Sequence, residues 1–189
     1  MRAIVLAVAV GGLIGLAGCR KPPPADPQTT FEAFKVLCID TGAKPGNVAA
    51  AVRGLGGVSA PAAAKAPPKP FPIDGKFWTV ALKSGRKLWV ASTVSSPPPY
   101  RPEAPPETDE SCTVTVMGKD PDSAAAARAW AGDRAEDGLM FRDLAGDHHA
   151  LRNFDEADAA LREDRLWMLT VEDGGPSLDL DLVHRHPKS

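Results

Sequence analysis

Proline placement constrains this chain more than any other feature, because proline offers no backbone donor to a helix or ladder and fixes its own φ. Most of the 19 prolines fall in three clusters: Lys21 to Gln28, with Pro22, Pro23, Pro24 and Pro27; Ser59 to Pro72, "SAPAAAKAPPKPFP"; and Ser96 to Thr108, "SPPPYRPEAPPET". Regular structure must be built between them. The first cluster is expected to be an extended, semi-rigid tether of about 3 Å per residue. The other two are expected to be loops. "PPKPFP" and "PPPYRP" also suit polyproline conformation, and so proline-rich docking, with solvated linkers as the plainer alternative.

Between the clusters the periodicity is legible. Thr29 and Glu32 make a capping box ahead of Phe31, Phe34 and Cys38, which share one helical face, and Gly42 stops that helix. Pro45 opens a second helix aligning Val48, Val52 and Leu55 before Gly56 and Gly57. Lys76 to Leu82 and Lys87 to Val94 are β-rich runs around Ser84-Gly85-Arg86, a hairpin pattern. Glu110 to Met117, "ESCTVTVM", alternates with Cys112, Val114 and Val116 on one side.

Asp120-Pro121 caps an alanine-rich helix carrying Trp130 and ending near Gly132. Gly138 to Leu144 and His148 to Leu151 form a second hairpin turning at Gly146-Asp147. Asn153 with Glu156 caps a last helix containing Phe154, Ala157 and Leu161. Leu166 to Glu172 and Ser177 to Val183, joined by "DGGP", form a third hairpin. This order predicts one α+β domain over residues 29–189, a mainly antiparallel sheet with about four helices packed against it.

The N-terminal residues follow another pattern. Met1 and Arg2 precede an uncharged apolar stretch, Ala3 to Gly18, too short for the roughly 20 residues that span a bilayer. Gly11, Gly12 and Gly15 weaken it as a soluble helix. It reads as a secretory signal peptide, residues 1–18. Leu16-Ala17-Gly18-Cys19 resembles the lipobox of bacterial lipoproteins. The resemblance implies a diacylglyceryl group on the Cys19 thiol, cleavage before Cys19 and acylation of the new amine. Residues 19–28 then become a lipidated tether, the covalent lipid standing in place of any cofactor. Two or three acyl chains make attachment effectively permanent, at about 0.8 kcal/mol per buried methylene. Arg20, in place of aspartate, resembles the pattern of lipoproteins sorted to the outer membrane, facing the periplasm. An ordinary signal with a leftover cysteine, or a short anchor, are the alternatives.

Export bears on the other two cysteines. With Cys19 lipidated, Cys38 and Cys112 are the only thiols left in an oxidising compartment, and a disulfide between them is expected. Two separate buried thiols are the alternative. No Cys-x-x-Cys is present, which removes the usual redox motif. The run "F-x-x-x-C-I-D-T-G", then "P-G-N-V-A-A-A", Trp-containing strands and "C-T-V-T-V" before a "D-P" helix resembles small secreted proteins of alphaproteobacteria to which no activity is assigned, over residues 31–131. That resemblance implies the cysteine pairing and the α+β class, and no reaction.

Charge narrows the partners. Arg2 is the only charged residue in 1–18, so 22 Lys and Arg become 21 against 24 Asp and Glu after cleavage, a balance that argues against nucleic acid. Expected partners are the membrane, through the anchor, and an envelope protein.

Catalytic signatures are scarce. There is no Gly-x-Ser-x-Gly or His-Glu-x-x-His, and "GLGG" at 54–57 lacks the Gly-Lys-Ser/Thr of a phosphate loop. His184 and His186 project from one strand face, beyond Leu178, Leu180 and Leu182, near a C-terminus prone to fraying. With His148, or with His149 or Asp147, they would make a zinc or copper site. The mixed charges Glu156, Asp158, Arg162, Glu163, Asp164 and Arg165 look like a solvated helix face, and Asp179 and Asp181 like an exposed strand face. Trp78, Trp89, Trp130 and Trp167 are read as core residues. The expected function is a non-catalytic binding or structural role at the envelope. A metal-binding lipoprotein and an envelope-polymer hydrolase with an unidentified site are the alternatives.

Overall fold

The computed structural model describes residues 26–61, 74–97, 106–132, 134, 139–143, 148–149 and 159–188, with residues 74, 139–143 and 148–149 as backbone. The signal segment, Cys19, most of the tether, residues 62–72 and 98–105 of the proline clusters and the cap at Asn153 lie outside the described residues. No helix among the described residues is long and apolar enough to cross a membrane.

Helix α1 (Thr30–Phe34) starts at the expected capping box, the Thr29 hydroxyl accepting from Glu32 N–H while the Glu32 carboxylate accepts from Thr29 N–H. It continues as a π-helical turn, Lys35–Ile39. Gly42 and Ala43 then take left-handed φ, and α2 (Pro45–Gly54) opens on Pro45 with no side-chain cap. Strand β1 (Val58–Ser59) leads into β2 (Asp74–Ala81), β3 (Lys87–Ser95) and β4 (Glu107–Met117). Helix α3 (Pro121–Gly132) and strands β5 (Leu139–Asp143) and β6 (His148–His149) follow. Helical residues 159–162 (α4) precede β7 (Leu166–Glu172) and β8 (Ser177–Pro187).

All strands join one sheet in the order β1-β2-β3-β4-β8-β7-β5-β6. Every neighbouring pair is antiparallel except β5 with β7. The first and third expected hairpins are present, and the domain is α+β; of the second, β5 and β6 pair antiparallel, and its turn at Gly146-Asp147 lies outside the described residues. Several strand ends differ from the sequence reading, most of all at β4 and β8. Strand β8 runs on to Pro187 because β4 begins at Glu107, with Glu107 opposite Pro187 and Thr108 opposite His186. Glu107 and Thr108 are therefore strand, not loop, and Ser59, at the start of the second proline cluster, pairs with Trp78.

Helices α1 and α2 cover one face of the sheet, whose inward positions on β4 and β8 are Cys112, Val114, Val116, Leu178, Leu180 and Leu182, all in the core cluster with Phe34, Leu37 and Val52. The expected disulfide is formed: Cys38 and Cys112 are bridged, with Cα atoms 5.3 Å apart and both residues fully buried, tying the end of α1 to the sheet centre. Asp120 joins three elements. It caps α3 through Ser123 N–H, accepts from the buried Thr30 hydroxyl at 2.6 Å and pairs with Arg86 of the β2–β3 turn.

Trp78 is core, and Trp130 and Trp167 pack against it. Trp89 corrects the expectation. It alternates with the inward Leu88 and Val90, so it lies on the opposite face, under the Lys87 ammonium at 4.9 Å.

Candidate functional site

The site grows from β8, where His184 takes the inward position after Leu182. It is not at a frayed edge. Strand β8 is hydrogen-bonded on both sides there, with Glu110 of β4 and Trp167 of β7 as its cross-strand neighbours. The His184 ring stacks on Trp167 with centroids 4.0 Å apart and planes 8° from parallel, and the residue is 5 % exposed. Trp167 is held in turn beneath Gly42, where an added Cβ would meet its indole at 3.6 Å.

Asp164 fixes the ring from the other side. It follows α4 with φ +57, a left-handed conformation that aspartate tolerates better than most residues. That turn brings the Asp164 carbonyl to 3.2 Å and its carboxylate to 3.3 Å from His184 Nε2. Nε2 faces two oxygens and so donates, while Nδ1 is buried with no hydrogen-bond partner. An orphaned buried polar atom costs about 1–3 kcal/mol. Asp164, read from sequence as one more solvated charge, is thus a site residue. The missed pattern is an aspartate just past a helix end, where a left-handed residue closes the turn.

His186 lies beyond His184, ring centroids 5.4 Å apart. Together with Glu110, Asp164 and the first turn of α2, residues 44–47, the two histidines line a concavity of about 470 Å³. Helix α2 presents an uncapped N-terminus there. Lys44 supplies no capping bond, Pro45 has no N–H, and Gly46 and Asn47 are exposed. One wall is therefore electropositive and the other, Glu110 with Asp164, carries carboxylates.

The structure brings together two of the three expected metal ligands, His184 and His186. The His148 side chain lies outside the described residues, although its backbone pairs with Arg142 in β6. Among the described residues, no group of three or more His, Cys, Asp or Glu is arranged to hold a metal.

A second polar cluster, missed in the sequence, sits on the sheet face away from the core. The Arg185 guanidinium donates to both oxygens of Asp109, at 2.7 and 2.8 Å, and its Nε lies 3.3 Å from Glu107. The Glu107 side chain is wholly buried and its oxygens accept no hydrogen bond. Burial raises its pKa above the ordinary 4.5, opposed by the Arg185 charge and reinforced by Asp109. The Asp109 hydrogen bonds outweigh desolvation and raise Arg185, with the Asp109 and Glu107 charges adding. The alternation Glu107, Asp109, Ser111 was the available cue, hidden by prolines just upstream. Along the same face Thr113 and Thr115 donate to Asp181 and Asp179, so those carboxylates form a hydrogen-bonded ladder, not a bare solvated row.

Comparison with known proteins returns no match: no family, no curated protein and no solved structure.

Proposed function

We propose that this chain is a lipid-anchored binding protein of a bacterial envelope, held at the membrane by Cys19 and presenting the concavity beside His184 to the periplasm. One observation carries the anchor. Cys38 and Cys112 are bridged, so of the chain's three cysteines Cys19 alone is left over, and it ends the Leu16-Ala17-Gly18-Cys19 pattern. A disulfide in the core also fits an oxidising compartment. The proline tether supports the reading further, lifting the domain off the lipid surface. The concavity beside His184, with an electropositive wall and carboxylates opposite it, favours binding over a purely structural role.

The test is the intact mass of protein purified from host membranes. The expected mass is that of residues 19–189 with a diacylglyceryl and an acyl group, less two hydrogens for the bridge. An unmodified Cys19 would overturn the anchor.

A further inference from the structure

We infer that Glu107 makes the terminal end of the β4–β8 pair a proton-operated clasp: with a neutral carboxyl the end is closed and His186 is held on the wall of the concavity, and on ionisation Glu107 turns out to water and releases the end of β8. Control of the concavity rests on the binding role proposed above, whereas the clasp itself is read without a ligand and is independent of the anchor. The strand order sets the hinge. Strand β7 pairs with β8 no further than Arg185, so His186 and Pro187 are held from one side, by Thr108 and Glu107 of β4. The Lys188 N–H, donated to the Pro106 carbonyl at 2.9 Å, completes that hold. His186 lines the concavity from this one-sided segment. A ladder end with a partner along one edge opens more readily than the centre of the sheet.

Glu107 is the weak point of that end. Its side chain is wholly buried, yet neither carboxyl oxygen has a hydrogen-bond partner. Arg185 Nε lies 3.3 Å away, but its N–H and a second guanidinium N–H are donated to Asp109, at 2.7 and 2.8 Å. One guanidinium therefore faces two carboxyl groups and hydrogen-bonds one of them. The flanking strands add no charge at these positions: β3 places Ser95 opposite Asp109, and β7 places Leu166 opposite Arg185. His186, opposite Thr108, alternates to the other face of the pair. A buried carboxylate without a donor is far costlier than the neutral acid, so an ionised Glu107 gains by reaching water. At a strand terminus between the exposed Pro106 and Pro187, that takes only the unpairing of residues 107–108 from 186–187. Burial, opposed by Arg185 and reinforced by Asp109, raises Glu107 above the ordinary 4.5, so the closed end is favoured in acid and lost as pH rises through the folded value.

The experiment is hydrogen–deuterium exchange of the full chain as its host makes it, in detergent, read by mass spectrometry at about pH 5 and about pH 8 with intrinsic exchange rates corrected for pH. Residues 183–189 report the clasp, and β7 is the internal control. Protection of 183–189 is expected to fall at least about threefold between the two pH values while β7 keeps its own. Glu107→Gln, neutral at both and nearly the same shape, should hold the end closed and remove the change. Asp109→Asn should shrink it, because Arg185 then becomes available to Glu107. The inference is overturned if native protection of 183–189 changes by less than about threefold, if β7 loses protection to the same degree, if the change survives in Glu107→Gln and so belongs to another group such as His186, or if Asp109→Asn leaves it undiminished. Exchange needs no ligand, and the anchor is read from intact mass, so failures of the clasp, of the binding role and of the membrane assignment are told apart.

Discussion

Replacing both bridging cysteines, Cys38→Ala with Cys112→Ala, should remove a large share of the domain's stability. The bridge spans a sequence separation of 74, for which the chain-entropy model gives about 4.4 kcal/mol. Domains of this size are stable by only about 5–15 kcal/mol in total. Both cysteines are fully buried, so the double variant also loses some packing. With a urea slope of about 2 kcal/mol per molar, the midpoint should fall by about 2 M. The assay is urea unfolding followed by tryptophan fluorescence, comparing the oxidised protein, the same protein under reductant and the double variant. The reduced protein and the variant should fall together. A shift under about 0.5 M, near 1 kcal/mol on that slope, or two titratable thiols in protein taken from an oxidising compartment, would refute the reasoning.

Three further outcomes follow from single residues. Asp120→Ala removes the α3 cap, the partner of the buried Thr30 hydroxyl and the Arg86 pair, and should cost about 2–4 kcal/mol; a loss under about 1 kcal/mol would show the hub to be decorative. Burial alone would raise Asp120, but the Thr30 and Ser123 hydrogen bonds and Arg86 hold it below the ordinary 3.8. Its contribution is therefore present above pH 3.8 and lost as pH falls through the lower folded value, so the penalty in Asp120→Ala should shrink in that acid window. Glu107 has the opposite sign: raised above 4.5 in the fold, it favours folding most below 4.5, and that contribution is lost as pH rises through the folded value. Glu107→Gln, which cannot ionise, should gain on the native protein as urea midpoints are taken from about pH 4 to about pH 8; a constant difference would contradict it. Gly57→Ala places a Cβ 2.9 Å from the Val52 carbonyl oxygen and against the Val52 side chain, which backbone cannot vacate, and should lower the melting transition by the equivalent of about 1–3 kcal/mol.

Much of the fold was legible along the chain, and the reason is local. The Thr29 capping box, Pro45 at the start of α2, the Asp120 cap and the Gly85 turn are each specified within a few residues, and each appears where expected. The candidate site was half legible. His184 and His186 were placed on one strand face, but Glu110 and Asp164 looked like two more charges among many. Their role depends on Asp164 turning left-handed after α4 and on Glu110 standing opposite His184, a pairing of residues 74 positions apart in the chain. The Glu107, Asp109 and Arg185 cluster was hidden for the same reason, its partners lying 76 and 78 residues apart along the chain.

By itself the sequence determined the class of the domain, its caps and turns, the disulfide and the pattern at Cys19, because these depend on residue type, period and compartment. Only the tertiary structure decided that β8 lies between β4 and β7. Pairing with β4 carries β8 past Val183 to Pro187, and β7 flanks it as far as Arg185, which buries His184 on Trp167 instead of leaving it at a loose end. No local period encodes that burial, which leaves Nδ1 without a hydrogen-bond partner, because strand order is set by closure of the whole sheet.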